Sequence, residues 1–314
     1  MLIRKSKIYA SLATILVIPY VFIVTQVVFL RKIQSDRGDI AGYIANYDRY
    51  VEYISYTTRS WIDYITNETI FHYIYFELSQ YLADPEFALQ VLAGLSSAVL
   101  ILAVFPRDKS NIVFLILLLH PRVLDLMSSQ IRFAVAISMF IVVLMAIQNR
   151  MRGLFALPIS TIHTFFLAAG LFTAFFDHYL YKRRIIHAYA IALSIALVLV
   201  FGAELFLSYI GDRRSELNDG AKSFGLAYLV MTLFTYLTII HQNKKMVYNV
   251  FGFLCIVSGA SAIFTAIIDG YAERYVSSFI VFFLAYASQV KIQNTIFVFP
   301  VVMLNLLLSL YFWI

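Results

Sequence analysis

Long apolar blocks constrain this chain more than any other feature. Stretches such as 87–106, 131–149 and 273–290 run almost without a charge, and about 20 such residues in a helix cross a hydrocarbon layer. A membrane barrel would alternate apolar and polar positions, and these blocks do not. Helices are then the only spanning structure whose backbone groups are satisfied within the segment. Composition agrees, with 61% hydrophobic and 13% charged residues, against about one-quarter charged in an ordinary soluble domain. The expected fold is all-α: a polytopic membrane protein of about nine transmembrane helices, a re-entrant helix pair and outer interfacial helices. It would form a single transmembrane bundle over 1–314, with 31–86 as an extracytoplasmic helical segment within it.

Charge sets the topology. The formal net charge of +6 does not point to nucleic acid, because basic residues in a membrane protein are first sorted by side. Expected spans are 7–30, 87–106, 110–127, 131–149, 185–210, 225–242, 246–268, 273–290 and 292–314, with an apolar stretch at 154–180 left over. If 154–180 crossed fully, Lys182, Arg183, Arg184, Lys244 and Lys245 would fall outside, against the positive-inside bias. If it enters and returns, bending near Pro158 to His163, every short basic loop is cytoplasmic, and so is the N-terminus with Arg4, Lys5 and Lys7. That initial basic run precedes apolar residues reaching Leu30 without a small-residue cleavage site, so it reads as a retained span. The single Cys255 can build neither a disulfide framework nor a cysteine metal cluster within one chain.

The segment 31–86 is the one long polar stretch, and a cytoplasmic N-terminus puts it outside. Ile40, Tyr43, Ile44 and Tyr47 share one helical face, and Ile70, Tyr73, Ile74 and Leu78 repeat that spacing within a helix expected at 67–81. Two interfacial helices of this kind would lid the outer mouth of the bundle. A second outer loop, 211–223, gathers Asp212, Arg213, Arg214, Glu216, Asp219 and Lys222. It reads either as a solvated mobile loop or as a catalytic one, with Arg213 and Arg214 as candidate substrate contacts.

Ionisable residues in or beside spans face a bundle interior or a wet cavity, which directs attention to Arg122, Asp125, Arg132, His163, Glu204 and Arg274. Arg132 either snorkels to headgroups or binds an anion, since a guanidinium holds phosphate by paired hydrogen bonds. Small residues follow it, Ala134, Ala136 and Ser138, which let a neighbouring helix come close. His163 either packs within the bend or, in a wet cavity, exchanges a proton near neutral pH. Glu204 either pairs with an arginine or reaches the outer interface. There is no phosphate-cradling glycine loop, no His-Glu-x-x-His zinc helix and no nucleophile elbow.

In order along the chain come Asp39 and Tyr43 after the first span, Glu68 within Asn67-Glu68-Thr69, Ile131-Arg132 opening a span with small residues, His163 in an apolar bend, and Arg274-Tyr275 at the start of a late span. This order resembles the EpsG/Wzy-type polysaccharide polymerase family, with departures at Phe133, where glutamine is common, and at Thr164 and Phe165 after the histidine. The resemblance implies a bacterial inner-membrane glycosyltransferase, independent of metal and of any cofactor. It would join repeat units of a polyprenyl-diphosphate-linked oligosaccharide on the extracytoplasmic face, among membrane lipid and in company with a chain-length regulator protein. His163, Asp39 and Glu68 would be the catalytic candidates, with Arg132, Arg274, Tyr43, Tyr275, Arg213 and Arg214 binding substrate. A lipid-linked glycan flippase and a glycan ligase are the competing readings.

Overall fold

The computed structural model describes residues 2–34, 39–45, 47, 65, 68–147, 151–180, 185–202, 235, 246–267 and 273–313. All regular structure among them is helical. The chain divides into two compact units: Met1–Phe105 with Leu124–Asp177, and Pro106–Val123 with His178–Ile314.

The first unit begins with α1 (Leu2–Phe22), a π-helical turn (Ile23–Val28) and α2 (Phe29–Gln34). Within the turn, Thr25 Oγ1 donates to the Val21 carbonyl at 2.8 Å. Next come α3 (Asp39–Ala45), α4 (Thr69–Leu82) and α5 (Pro85–Val104). Asp84 caps α5, its carboxylate accepting from the amides of Glu86 at 2.9 Å and Phe87 at 3.1 Å, and Pro85 occupies the first helical position, where its missing N–H costs nothing. Ser11–Ile33 and Pro85–Val104 are the two described helices long and apolar enough to cross a membrane.

The expected span 110–127 is not one helix. A 3-10 stretch, Lys109–Leu119, meets α6 (Pro121–Ser128) at a 65° bend. Pro121 has no N–H to continue the ladder, and it drives His120 before it into extended backbone, φ −63° and ψ 130°. α7 (Ile131–Ala146) follows and packs closely on α5. Ala134, Ala136 and Ser138 are all buried there, and the Ser138 hydroxyl donates to the Ser96 carbonyl of α5 at 3.0 Å. Ser138 thus sits where the two helix backbones approach.

Residues 152–177 double back on themselves. α8 (Arg152–Ala156) runs into a 3-10 turn (Leu157–Thr161), the helix stops at Ile162 to Thr164, and α9 (Phe165–Phe175) returns along α8. The two arms touch through backbone: a Cβ built on Gly153 would lie 2.2 Å from the Ala174 amide nitrogen. Arg152 and Asp177 clamp the open ends by a two-pronged ion pair, Nε to Oδ2 at 2.9 Å and the terminal nitrogen to Oδ1 at 2.6 Å. The bend falls at Pro158 to His163, where the sequence puts it.

In the second unit α10 (Ile185–Leu197), α11 (Val250–Ile267), α12 (Glu273–Gln289) and α13 (Thr295–Trp313) are the described α-helices, α11 packing along both α10 and α12. They fall within the expected spans 185–210, 246–268, 273–290 and 292–314, and each contains an apolar helical stretch shorter than a full crossing. The span expected at 225–242 lies outside the described residues, Thr235 excepted. Asn111 ties the 3-10 stretch to the end of α12, donating to the carbonyls of Ala287 at 2.7 Å and Val290 at 2.8 Å.

Candidate functional site

Three separate pieces of the first unit meet at Glu68. It precedes α4 in left-handed backbone, φ 52° and ψ 40°, a conformation that costs a non-glycine residue about 1–2 kcal/mol. Its side chain is fully buried. Oε2 accepts from the Arg132 guanidinium, while Oε1 accepts from the backbone N–H of Thr164 at 3.1 Å and from its hydroxyl at 3.2 Å. His163 Nδ1 lies 3.6 Å from the same oxygen. One carboxylate therefore fastens the start of α7 to the tip of the 152–177 hairpin.

The Arg152–Asp177 pair closes the feet of that hairpin, and its tip packs on Phe133 near the start of α7. Phe133, one residue after the arginine, stands edge-on to the His163 ring at 4.8 Å between centroids. The Phe165 amide donates into His163 Nδ1 at 3.3 Å, which puts the hydrogen of the neutral imidazole on Nε2.

Arg132 is held from a second side. The Tyr43 ring of α3 lies under its guanidinium, 5.3 Å from carbon to centroid, a cation–π contact. Tyr43 packs in turn on Phe71 at 5.6 Å, Tyr75 at 5.8 Å and His72 at 6.1 Å. Burial and, after it, the nearby Arg132 charge push the pKa of His72 down to about 4, with Glu68 opposing the shift. His72 is consequently neutral near pH 7, and the Arg132 side chain, still 22% exposed, carries the positive charge.

The faces of the two outer helices divide differently. On α3 Ile40 and Tyr43 are buried, as their spacing predicts. On α4 the packed face is Phe71, His72, Tyr75 and Ser79, and the aliphatic face Ile70, Tyr73 and Ile74 is exposed. The helix turns Ile70, Tyr73 and Ile74 outward and its aromatic and polar side toward Tyr43. The observed helix, Thr69–Leu82, starts two residues later than the expected 67–81.

Glu68, Arg132, His163 and Tyr43 thus come together. Asp39 begins α3, with its side chain outside the described residues. Tyr275 lies in the first turn of α12 in the second unit, half-buried, and the side chain of Arg274 beside it is outside the described residues, as are Arg213, Arg214 and Glu204 altogether. The sequence reading passed over Thr164 and His72; Thr164 supplies two of the bonds that hold Glu68, and its one signal was adjacency to His163. It also passed over Lys32, the partner of Asp125 at 2.5 Å. Among the described residues no group of three or more His, Cys, Asp or Glu side chains is gathered in metal-binding fashion. No protein-family model, no curated protein and no solved structure matches this chain.

Proposed function

We propose that the chain is a membrane glycosyltransferase that moves a growing glycan from a polyprenyl diphosphate to a lipid-linked repeat unit on the extracytoplasmic face. The observation that carries this reading is the buried carboxylate of Glu68 holding a partly exposed Arg132 beside His163, at the tip of a doubled-back helical hairpin. Buried ions of this kind in an apolar helical protein mark functional sites by default. In this reading about nine helices span the bacterial inner membrane with the N-terminus cytoplasmic. The hairpin is re-entrant from the cytoplasmic side, so that Arg150, Arg152 and Lys182 stay inside in accord with the charge rule.

The chemistry is a displacement at the anomeric carbon. An acceptor hydroxyl oxygen forms the new bond, the bond from carbon to diphosphate oxygen breaks, and the lipid diphosphate departs with the charge that develops. Arg132 stabilises that charge through donors already oriented by Glu68 and Tyr43. His163, with its hydrogen on Nε2, acts as a donor to the departing oxygen, and Asp39 takes the acceptor's proton, because the buried Glu68 carboxylate is committed to Arg132 and Thr164. Tyr43 holds the guanidinium, and Arg274, Tyr275, Arg213 and Arg214 are the remaining candidate contacts to glycan or diphosphate.

In cells that make the polymer, Arg132→Ala and Arg274→Ala should each reduce long-chain product, per molecule of folded protein, by more than about 100-fold, the scale of a lost transition-state donor. Normal polymer from Arg132→Ala refutes the assignment. Purified protein given a single lipid-linked repeat unit should yield a ladder of products. Dependence on a different acceptor would make it a ligase, and unaltered substrate length a flippase.

A further inference from the structure

Two cations in the first unit are fastened in the same way. Lys32, in the last turn of α2, pairs with Asp125 at 2.5 Å, and Arg132 pairs with Glu68. The two pairs share a turn of chain. The Asp125 carbonyl accepts from the Ser129 amide at 2.8 Å, the Ser129 hydroxyl at 2.8 Å and the Gln130 amide at 3.4 Å, and this turn leads directly into the helix that carries Arg132.

Both carboxylates are buried, whereas the side chains of Lys32 and Arg132 keep 23% and 22% of their surface exposed. Such pairs are a poor source of stability, because the cost of desolvating the charges offsets their attraction. They do hold positive charge in place where an anion can reach it. A separate observation in the same turn points to a ligand: Gln130 Oε1 is buried without a hydrogen-bond partner, and the side chain does not cap α7. A buried acceptor calls for a donor, which a glycosyl ester carries in its hydroxyls.

We infer that Lys32 and Arg132 form a two-cation clamp for a diphosphate ester, one cation to each phosphate. The guanidinium offers a fork to one phosphate and the ammonium a point charge to the other, so a monophosphate engages only half of the clamp. This rests on the proposed reading of the Arg132 site and adds to it a residue and a discrimination between phosphate esters.

The test titrates the full-length protein in detergent with farnesyl diphosphate, farnesyl monophosphate and inorganic pyrophosphate. Wild type should bind the prenyl diphosphate at least about tenfold tighter than the monophosphate, the worth of one charged contact, and tighter than inorganic pyrophosphate. Lys32→Gln should bring the two prenyl esters to within about threefold of each other, compared at a temperature where the variant is folded. Should Lys32→Gln melt early, Lys32→Arg keeps the charge and Asp125→Asn breaks the pair while keeping the cation, and both should retain the preference. Loss of the preference in Asp125→Asn together with an unaltered one in Lys32→Gln overturns the clamp. Unaltered discrimination in Lys32→Gln, with binding lost in Arg132→Gln, removes Lys32 and leaves the reading of Arg132 standing. A wild type that binds no prenyl diphosphate removes that reading itself, and equal affinity for inorganic pyrophosphate makes the occupant a free anion and overturns the ester.

Discussion

The two units each bury a polar cluster, and the clusters are built on opposite principles. In the second unit His120, Asn305 and Thr235 are buried and neutral in their hydrogen bonding. The Arg122 amide donates to His120 Nδ1 at 3.2 Å, so Nε2 carries the hydrogen that bonds Asn305 Oδ1 at 3.2 Å, and Asn305 Nδ2 donates to Thr235 Oγ1 at 3.0 Å. Donor meets acceptor along the whole chain of bonds. In the first unit the Glu68 cluster is charged, sits on left-handed backbone and leaves its cation partly exposed. A closed neutral chain secures a bend such as that at His120–Pro121, whereas the charged cluster keeps one end open to its surroundings.

The comparison is most exposed to failure at Glu68. Replacing it with alanine leaves Arg132 without its buried counter-charge and Thr164 without its acceptor, and should cost about 3–5 kcal/mol, the usual result of removing one partner of a buried pair. Thermal melting in detergent measures this, and an unshifted melt would make the pair incidental. The next effect is a pH dependence. His72 takes up its proton near pH 4 when folded and near 6.5 when unfolded, so between those values the unfolded chain binds more protons. Stability should be full above pH 6.5 and fall as pH drops toward 4, by up to about 3 kcal/mol, and His72→Gln should flatten that slope. A slope unaffected by His72→Gln would show that the histidine is not buried beside Arg132.

The smallest effect belongs to the neutral cluster. Asn305→Ala strands the His120 Nε2 hydrogen and should destabilise by about 1–3 kcal/mol, with the product length distribution of the surviving folded protein unchanged. A changed distribution would put the second cluster in the site as well and erase the distinction between the two.

Much of the local structure was legible. The helix over 131–146, the buried face of α3, the close packing of Ala134, Ala136 and Ser138, and the bend at Pro158 to His163 all follow from spacing, small residues and proline. Other features were missed. The expected single span 110–127 took no account of Pro121, where the 65° bend falls. The inward face of α4 was hidden because that helix has apolar residues on both sides, and only its packing against Tyr43 of α3 decides which of them turns inward. His163 and Arg132 could be named as candidates, but nothing in their neighbourhoods revealed that Glu68 joins them.

Sequence by itself determined what repeats within a few residues: helicity, the apolar length of segments, and which ionisable groups stand in apolar surroundings. Tertiary structure decided which of those groups share a site. Arg132 reaches Glu68 across 64 positions and Thr164 reaches it across 96. Helical periodicity carries information over only the next turn or two, so contacts at such separations are fixed by the packing of α5, α7 and the folded-back hairpin, which bring otherwise costly charges close enough to satisfy one another.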